Sequence, residues 1–293
     1  MAKAPTATAP TGGATPGKNI VWLASYPKSG NTWLRIFLAN YLLNRTTPMP
    51  INQVHRIGMG DAIEKAYRLV ARGPFNERDP HQVLALRPGV LARIVANGAQ
   101  VNFVKTHNVR GKAFGIELIP PPLTRSAIYI LRNPLDMVLS YARHYGQTPE
   151  FAAAAIGRPD NAVAGGFGAV TQFLGNWSEH VRGWTRCRDF PVLVLRYEDL
   201  QADPQAGFAR TLAHIGVPLD AERLERAVRF SSFEEVSRQE AEGGFVERSA
   251  HGGRFFHAGR TGQWRESLPA QAAERIRREH ARVMREFGYL DEE

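Results

Sequence analysis

Along this chain, short apolar runs alternate with longer stretches in which apolar residues recur at helical spacing. Ile20 to Ala24, Ala127 to Leu131 and Val192 to Arg196 are nearly continuous in apolar residues, as a parallel strand covered on both faces requires. Gln100 to Lys105 is a further strand candidate. From Thr32 to Leu43 the period changes. Trp33, Phe37 and Tyr41 fall on one stripe and Leu34, Leu38 and Leu42 on the next, which predicts a largely buried helix. Thr46-Thr47-Pro48-Met49-Pro50 ends it. Further helices are predicted over Pro134 to Tyr145, with Pro in the first turn, and over Phe173 to Arg186, Pro204 to Ile215 and Gln271 to Phe287. Residues 51–99 read as helical pieces joined by loops, and Pro120-Pro121-Pro122 as a surface turn. Residues 146–169, rich in Ala and Gly, read as a mobile excursion. Gly243 to Gly262 reads as irregular, with six glycines in twenty residues.

Strands alternating with helices predict an α/β fold: a single P-loop-like domain over 19–293, with a central parallel sheet flanked by helices on both faces. Residues 1–18, rich in Ala, Pro, Thr and Gly, cannot bury enough surface to offset their ordering entropy and are expected to form a disordered tail. The 293 residues carry 43% hydrophobic and 22% charged side chains, ordinary for a globular enzyme or binding protein. The net charge of +9 changes the picture by pointing to an anionic ligand: nucleic acid, a membrane surface or a phosphorylated small molecule. No apolar run approaches the roughly 18 residues of a transmembrane helix. Cys187 is the one cysteine, so no intrachain disulfide can form and a cytoplasmic, reducing setting is expected.

The strongest local signal is the loop Ser25-Tyr26-Pro27-Lys28-Ser29-Gly30-Asn31 between the first strand and a helix. Such a turn presents backbone N–H groups and the positive end of a helix to an anion. Gly30 permits close backbone approach, Lys28 supplies a full charge, and Ser29 and Thr32 supply hydroxyls. The bland alternative is an ordinary strand-to-helix turn capped by Asn31. The loop departs from the nucleotide-triphosphate pattern, in which Lys-Ser/Thr follows a second glycine; here Lys28 precedes Gly30.

The segment Tyr26 to Trp33 resembles the phosphate-binding loop of the sulfotransferases that use 3′-phosphoadenosine-5′-phosphosulfate (PAPS). Five further segments, in the family's order, carry the same resemblance: Val104-Lys105-Thr106-His107; Tyr129 to Pro134 with Asp136 and Ser140-Tyr141; Arg196 to Leu200; Ser231-Ser232-Phe233; and Gly259 to Arg265. Together they span roughly residues 20–290. The resemblance implies PAPS as co-substrate, no metal, and transfer of its sulfuryl group to an acceptor hydroxyl or amine. It implies His107 as general base, Lys28 at the leaving phosphate and Lys105 at the transferring group. It implies that Ser29, Gly30, Asn31, Thr32 and Trp33 hold the 5′-phosphate side, and Arg132 and Ser140 the 3′-phosphate. Tyr197, Ser231, Ser232 and Phe233 are expected at the adenine. The family's Arg-Lys before the C-terminal glycine is replaced by His257-Ala258, so Ala258, Gly259 and Arg260 are expected to complete the 3′-phosphate site.

Two other classes compete. A Mg²⁺-dependent phosphotransferase would need a carboxylate such as Glu198 or Asp199. A non-catalytic nucleic-acid binder would suit the charge, but no reader motif accompanies it, and no specific nucleic acid is expected. The acceptor, whether phenol, sugar, lipid or natural product, is left open, as is a homodimer. Residues 46–99 and 146–175, with Phe75, Phe151, Phe167 and Phe173, are the candidates for its pocket.

Overall fold

The computed structural model describes residues 17–251 and 253–291; most of the expected N-terminal tail lies outside them. Five strands form the main sheet: β1 (Ile20–Ser25), β2 (Gly58–Gly60), β3 (Asn102–Thr106), β4 (Thr124–Leu131) and β5 (Val192–Arg196). Their order is β2-β3-β1-β4-β5, and every pairing is parallel. In β1, Leu23 pairs with Lys105 of β3 and Ile128 of β4. Because all strands run the same way, Ser25, Thr106, Leu131 and Arg196 end on one rim, where ligands bind in open α/β sheets.

The alternation of β1 builds both faces. Val21 and Leu23 point into a cluster with Leu34, Phe37, Leu38 and Phe208, while Trp22 and Ala24 point into a larger one with Tyr129, Trp177 and Trp184. The first cluster is closed by the helix α1 (Asn31–Leu42), whose Phe37 ring stacks on Phe208 with centroids 3.9 Å apart. Both faces are thus covered, the burial that the apolar runs demanded.

The structure departs from the sequence reading in three places. Gly58–Gly60 is an edge strand where helices and loops were expected, held by Asp61 N donating to Lys105 O at 3.0 Å. The Ala/Gly-rich excursion is ordered: Pro149–Ile156 is a helix capped by Thr148, and Ala162–Val163 pairs with Gln172–Phe173. That pairing delays the next helix to Trp177–Thr185, where Asn176 accepts from Glu179 N at 2.8 Å as its cap. Two amphipathic helices, Ala221–Phe230 and Phe233–Gly243, complete the rim.

A buried polar clamp fixes the end of β3. The Asp61 carboxylate accepts from Arg87 Nη2 at 2.6 Å, Thr106 Oγ1 at 2.8 Å and Asn108 Nδ2 at 2.9 Å. All four residues are buried, and each donor satisfies the charge that burial would otherwise penalise. The residue between the two clamped positions is His107. Among the described residues, no helix is long and apolar enough to cross a membrane.

Candidate active site

One cavity of about 900 Å³ opens at the C-terminal rim of the sheet, and nearly all the residues singled out in the sequence line it. The turn after β1 forms its floor. Lys28 adopts a left-handed backbone (φ 69°) and Gly30 a φ of 107°. A Cβ on Gly30 would lie 2.9 Å from the Tyr197 ring, so both the dihedral and the close approach call for glycine. Gly30, not Asn31, is the N-cap of α1, and no side chain caps that helix end. The Asn31 amide turns inward instead and donates to Leu23 O at 2.8 Å, leaving only its backbone N–H for a ligand. The first-turn N–H groups of α1 therefore face the cavity without a competing side-chain acceptor.

Ser29 is fully buried beneath the turn rather than lining the cavity, and its hydroxyl has no hydrogen-bond partner; neither has Arg132 Nε. Arg132 Nη1 donates to Lys28 O at 3.1 Å, and its guanidinium lies over the Tyr197 ring at 4.4 Å. Trp33 packs edge-on against Tyr197 and Phe208 while one side lines the cavity. An uncapped helix end with the Arg132 guanidinium on the same cavity wall is the chemistry of an anion site, and a phosphate fits it.

His107 Nδ1 lies 2.8 Å from Ser25 O. A carbonyl only accepts, so Nδ1 carries the proton and Nε2 keeps its lone pair. The backbone of His107 is pinned in turn by His180, whose Nε2 donates to His107 O at 3.1 Å while Tyr129 OH donates to its Nδ1 at 2.9 Å. Burial first, and Lys105 second, push the His107 pKa well below its usual value, so the imidazole is neutral at physiological pH. Burial and the charge of Lys105 also lower Lys28 to about 7. Its ammonium sits 3.5 Å above the Phe255 ring. Lys105 is lowered chiefly by burial.

Across the cavity, Phe233 opens a helix whose cap is Ser232, and the Ser231 hydroxyl donates to Val228 O at 3.1 Å. Both hydroxyls are therefore already engaged locally. Gly259 packs so tightly on Phe233 that a Cβ would come within 2.4 Å of the ring. The Gly259–Arg265 segment is anchored by Asp136, which accepts from Gly262 N at 2.7 Å and Trp264 N at 3.0 Å. Ala258 and Gly259 line the cavity as expected, but Arg260 does not; it is exposed and bonds Glu266 at 3.2 Å. Glu198, a metal-ligand candidate of the rival reading, accepts from Asn133 N and Tyr289 OH, both at 2.9 Å.

Several lining residues were not foreseen. Arg143 follows Ser140 by one helical turn, a spacing that could have revealed it. Arg248 and Glu247 come from the irregular 243–262 segment, which carries no periodic signal. The Glu247 carboxylate accepts from Arg35 Nη1 at 2.7 Å and Thr32 Oγ1 at 3.2 Å. Burial pushes this carboxyl up, but the charges of Lys105 and Arg35 and these hydrogen bonds outweigh it and hold the group at about 2. Of the four pocket phenylalanines, Phe167 is on the cavity wall and almost fully exposed, and Phe151 lines a smaller adjoining cleft. Phe75 is buried against Tyr67, and Phe173 packs on the core instead of forming a pocket.

Residues 18–288 match the sulfotransferase domain family, and the chain belongs to that family. It is 27% identical over 284 residues to rat sulfotransferase 1A1, covering 91% of this chain and 85% of the relative. It is 24% identical to flavonol 3-sulfotransferase of Flaveria bidentis, covering 88% and 79%. Among solved structures, retinol dehydratase in complex with androsterone and the inactive cofactor PAP superposes with a TM-score of 0.62 at 18% identity, covering 90% of this chain and 80% of that one. Mouse sulfotransferase SULT7A1 complexed with PAP gives 0.59 at 18% identity, covering 91% and 85%. The likeness in fold includes the P-loop-like parallel sheet.

Proposed function

We propose that this sulfotransferase takes its sulfuryl group from PAPS and delivers it to a hydroxyl or amine of a small-molecule acceptor, without a metal. The observation that carries the reading is the meeting, at one rim, of an uncapped helix end, two part-buried lysines and a neutral imidazole with a free Nε2. The names of the two solved neighbours, each holding PAP, support the same co-substrate.

Transfer forms a bond from the acceptor oxygen to sulfur and breaks the bond from sulfur to the 5′-phosphate oxygen. His107 Nε2 takes the acceptor proton. Lys28, beside the turn, stabilises the negative charge that gathers on the departing phosphate, and the N–H groups of Ser29 to Trp33 hold that phosphate. A dianion raises the Lys28 pKa, so the side chain is charged when it is needed. Lys105, two residues before His107 on the same strand face, neutralises the sulfuryl oxygens. Phe233 and Tyr197 enclose the adenine, with Gly259 against the outer face of Phe233. Arg132 and Ser140 bind the 3′-phosphate. At the acceptor end, Tyr145, Val163, Phe167, Val246 and Phe256 give a largely apolar wall. That favours a phenol, lipid or other apolar alcohol over a sugar; one solved neighbour is named with androsterone and another with retinol.

The test is product formation from PAPS with phenolic, sugar and lipid acceptors in EDTA. His107→Ala should lower kcat by roughly 10²–10⁴-fold while leaving affinity for 3′,5′-adenosine bisphosphate unchanged. Turnover that requires ATP and Mg²⁺ would replace this reading with phosphoryl transfer.

A further inference from the structure

A 3′-phosphate is a dianion, and the cavity has to answer it with more than Arg132. Arg260 is turned out to Glu266, and residues 257–259 bring no permanent cation. Arg143 fills the gap in position. It stands one turn after Ser140 on the helix Pro134–Tyr145, so the two share a face, and both line the cavity with Arg132 and His257. The side chain is half-buried, and no carboxylate among the described residues pairs with it. Of the cavity's other cations, Arg132 is engaged with Lys28 O and the Tyr197 ring and Lys28 with the Phe255 ring, while Lys105, on β3, is attracted by Glu247. Arg248, at the mouth, reaches Gly253 O at 3.5 Å.

The electrostatics agree with this placement. Burial, then the charge of Arg132, lowers the Arg143 pKa; Arg143 in turn lowers that of His257, after burial, and adds to the lowering of Lys28 behind burial, Lys105 and Arg132. Its charge is thus felt both at His257 and at Lys28. Two guanidiniums that repel each other with no counter-charge between them cost stability in the empty cavity, and a dianion bridging them removes the cost.

We infer that Arg143 is the second guanidinium of the 3′-phosphate subsite, and that through it the enzyme selects 3′-phosphorylated over unphosphorylated adenosine nucleotides. The inference rests on the PAPS reading above. The experiment is a calorimetric titration of the full chain with 3′,5′-adenosine bisphosphate and with adenosine 5′-phosphate, for wild type, Arg143→Ala and Arg143→Lys. Arg143→Ala should weaken the bisphosphate by about 10–100-fold and the monophosphate by no more than about twofold, since a lost charge-assisted contact touches only the former. Arg143→Lys keeps the charge and loses the planar fork, so it should fall between. It carries the test alone if the alanine variant fails to fold. An unchanged ratio of the two affinities, or equal losses for both, overturns the inference. So does an effect confined to the KM of the acceptor, which would assign Arg143 to an anionic acceptor group. Wild-type protein that binds neither nucleotide overturns the PAPS reading itself and this inference with it.

Discussion

Lys28 offers a quantitative test of the site, because its ammonium is buried beside Lys105 and other cations. Burial, then Lys105, brings its pKa to about 7 in the free protein, with Glu247 opposing and Arg132 and Arg143 assisting. A bound 5′-phosphate returns that pKa towards its ordinary value near 10.4. At pH 8 only about one Lys28 in ten is charged in the free protein, whereas nearly all are charged in the complex. Binding should therefore take up about 0.9 proton at Lys28 alone. The sign follows from a pKa raised in the complex: the full stabilisation is present below pH 7 and is lost as pH rises above it. Affinity for 3′,5′-adenosine bisphosphate should weaken by up to about tenfold per pH unit between 7 and 9. His107, neutral throughout this range, does not contribute. The assay is titration calorimetry at pH 8 in buffers of different ionisation enthalpy. Lys105 adds in the same direction, so Lys28→Met should reduce the uptake and Lys28→Met with Lys105→Met should abolish it. A binding enthalpy independent of the buffer would refute the argument.

Two further substitutions probe the scaffold. Gly30→Ala must adopt a φ of 107° and meet the Tyr197 ring at 2.9 Å; nucleotide affinity should fall by at least about tenfold, and retention of wild-type affinity would show that the turn is not the phosphate site. Asp61→Ala leaves Arg87 buried without its counter-charge; urea denaturation should show a loss of about 3–5 kcal/mol, and a loss below about 1 kcal/mol would contradict the role assigned to the clamp.

The parts of this fold legible in the sequence were those whose burial leaves a periodic trace. Strands β1 and β4 are buried on both faces, and the part-buried edge strand β5 packs on both core clusters, so all three read as apolar runs. Strand β2 is only Gly58-Met59-Gly60 at an edge, too short and too poor in side chains to show alternation. The helix Pro149–Ile156 was hidden because its alanines resemble the small-residue composition of a loop. The same logic divides the site. Lys28, Lys105, His107 and Arg132 sit at or just past strand ends, where sequence position alone implies a ligand-facing rim. Ser29 and Asn31 adjoin that rim but are turned inward, a consequence of backbone dihedrals that residue type does not reveal. Arg260 was expected from adjacency along the chain, whereas Glu266 claims it through space. Glu247 lies more than 200 positions from Thr32 and Arg35, and no local pattern could bring them together.

The Glu247 contact also bears on which solutes can reach the turn. Its carboxylate accepts from the Thr32 hydroxyl and leaves the turn N–H groups open, so only an anion that seeks that hydroxyl meets an acid tethered to the chain, at an effective concentration on the order of millimolar that does not depend on how much protein is present. Inorganic phosphate or sulfate, meeting the site with one charged group, would have to displace Glu247 from the Thr32 hydroxyl on equal terms. A nucleotide that also engages Phe233, Tyr197 and the Arg132 end of the cavity draws on contacts the carboxylate cannot make. At the Thr32 hydroxyl, the tethered acid would then favour ligands by the number of anchor points they bring rather than by charge alone.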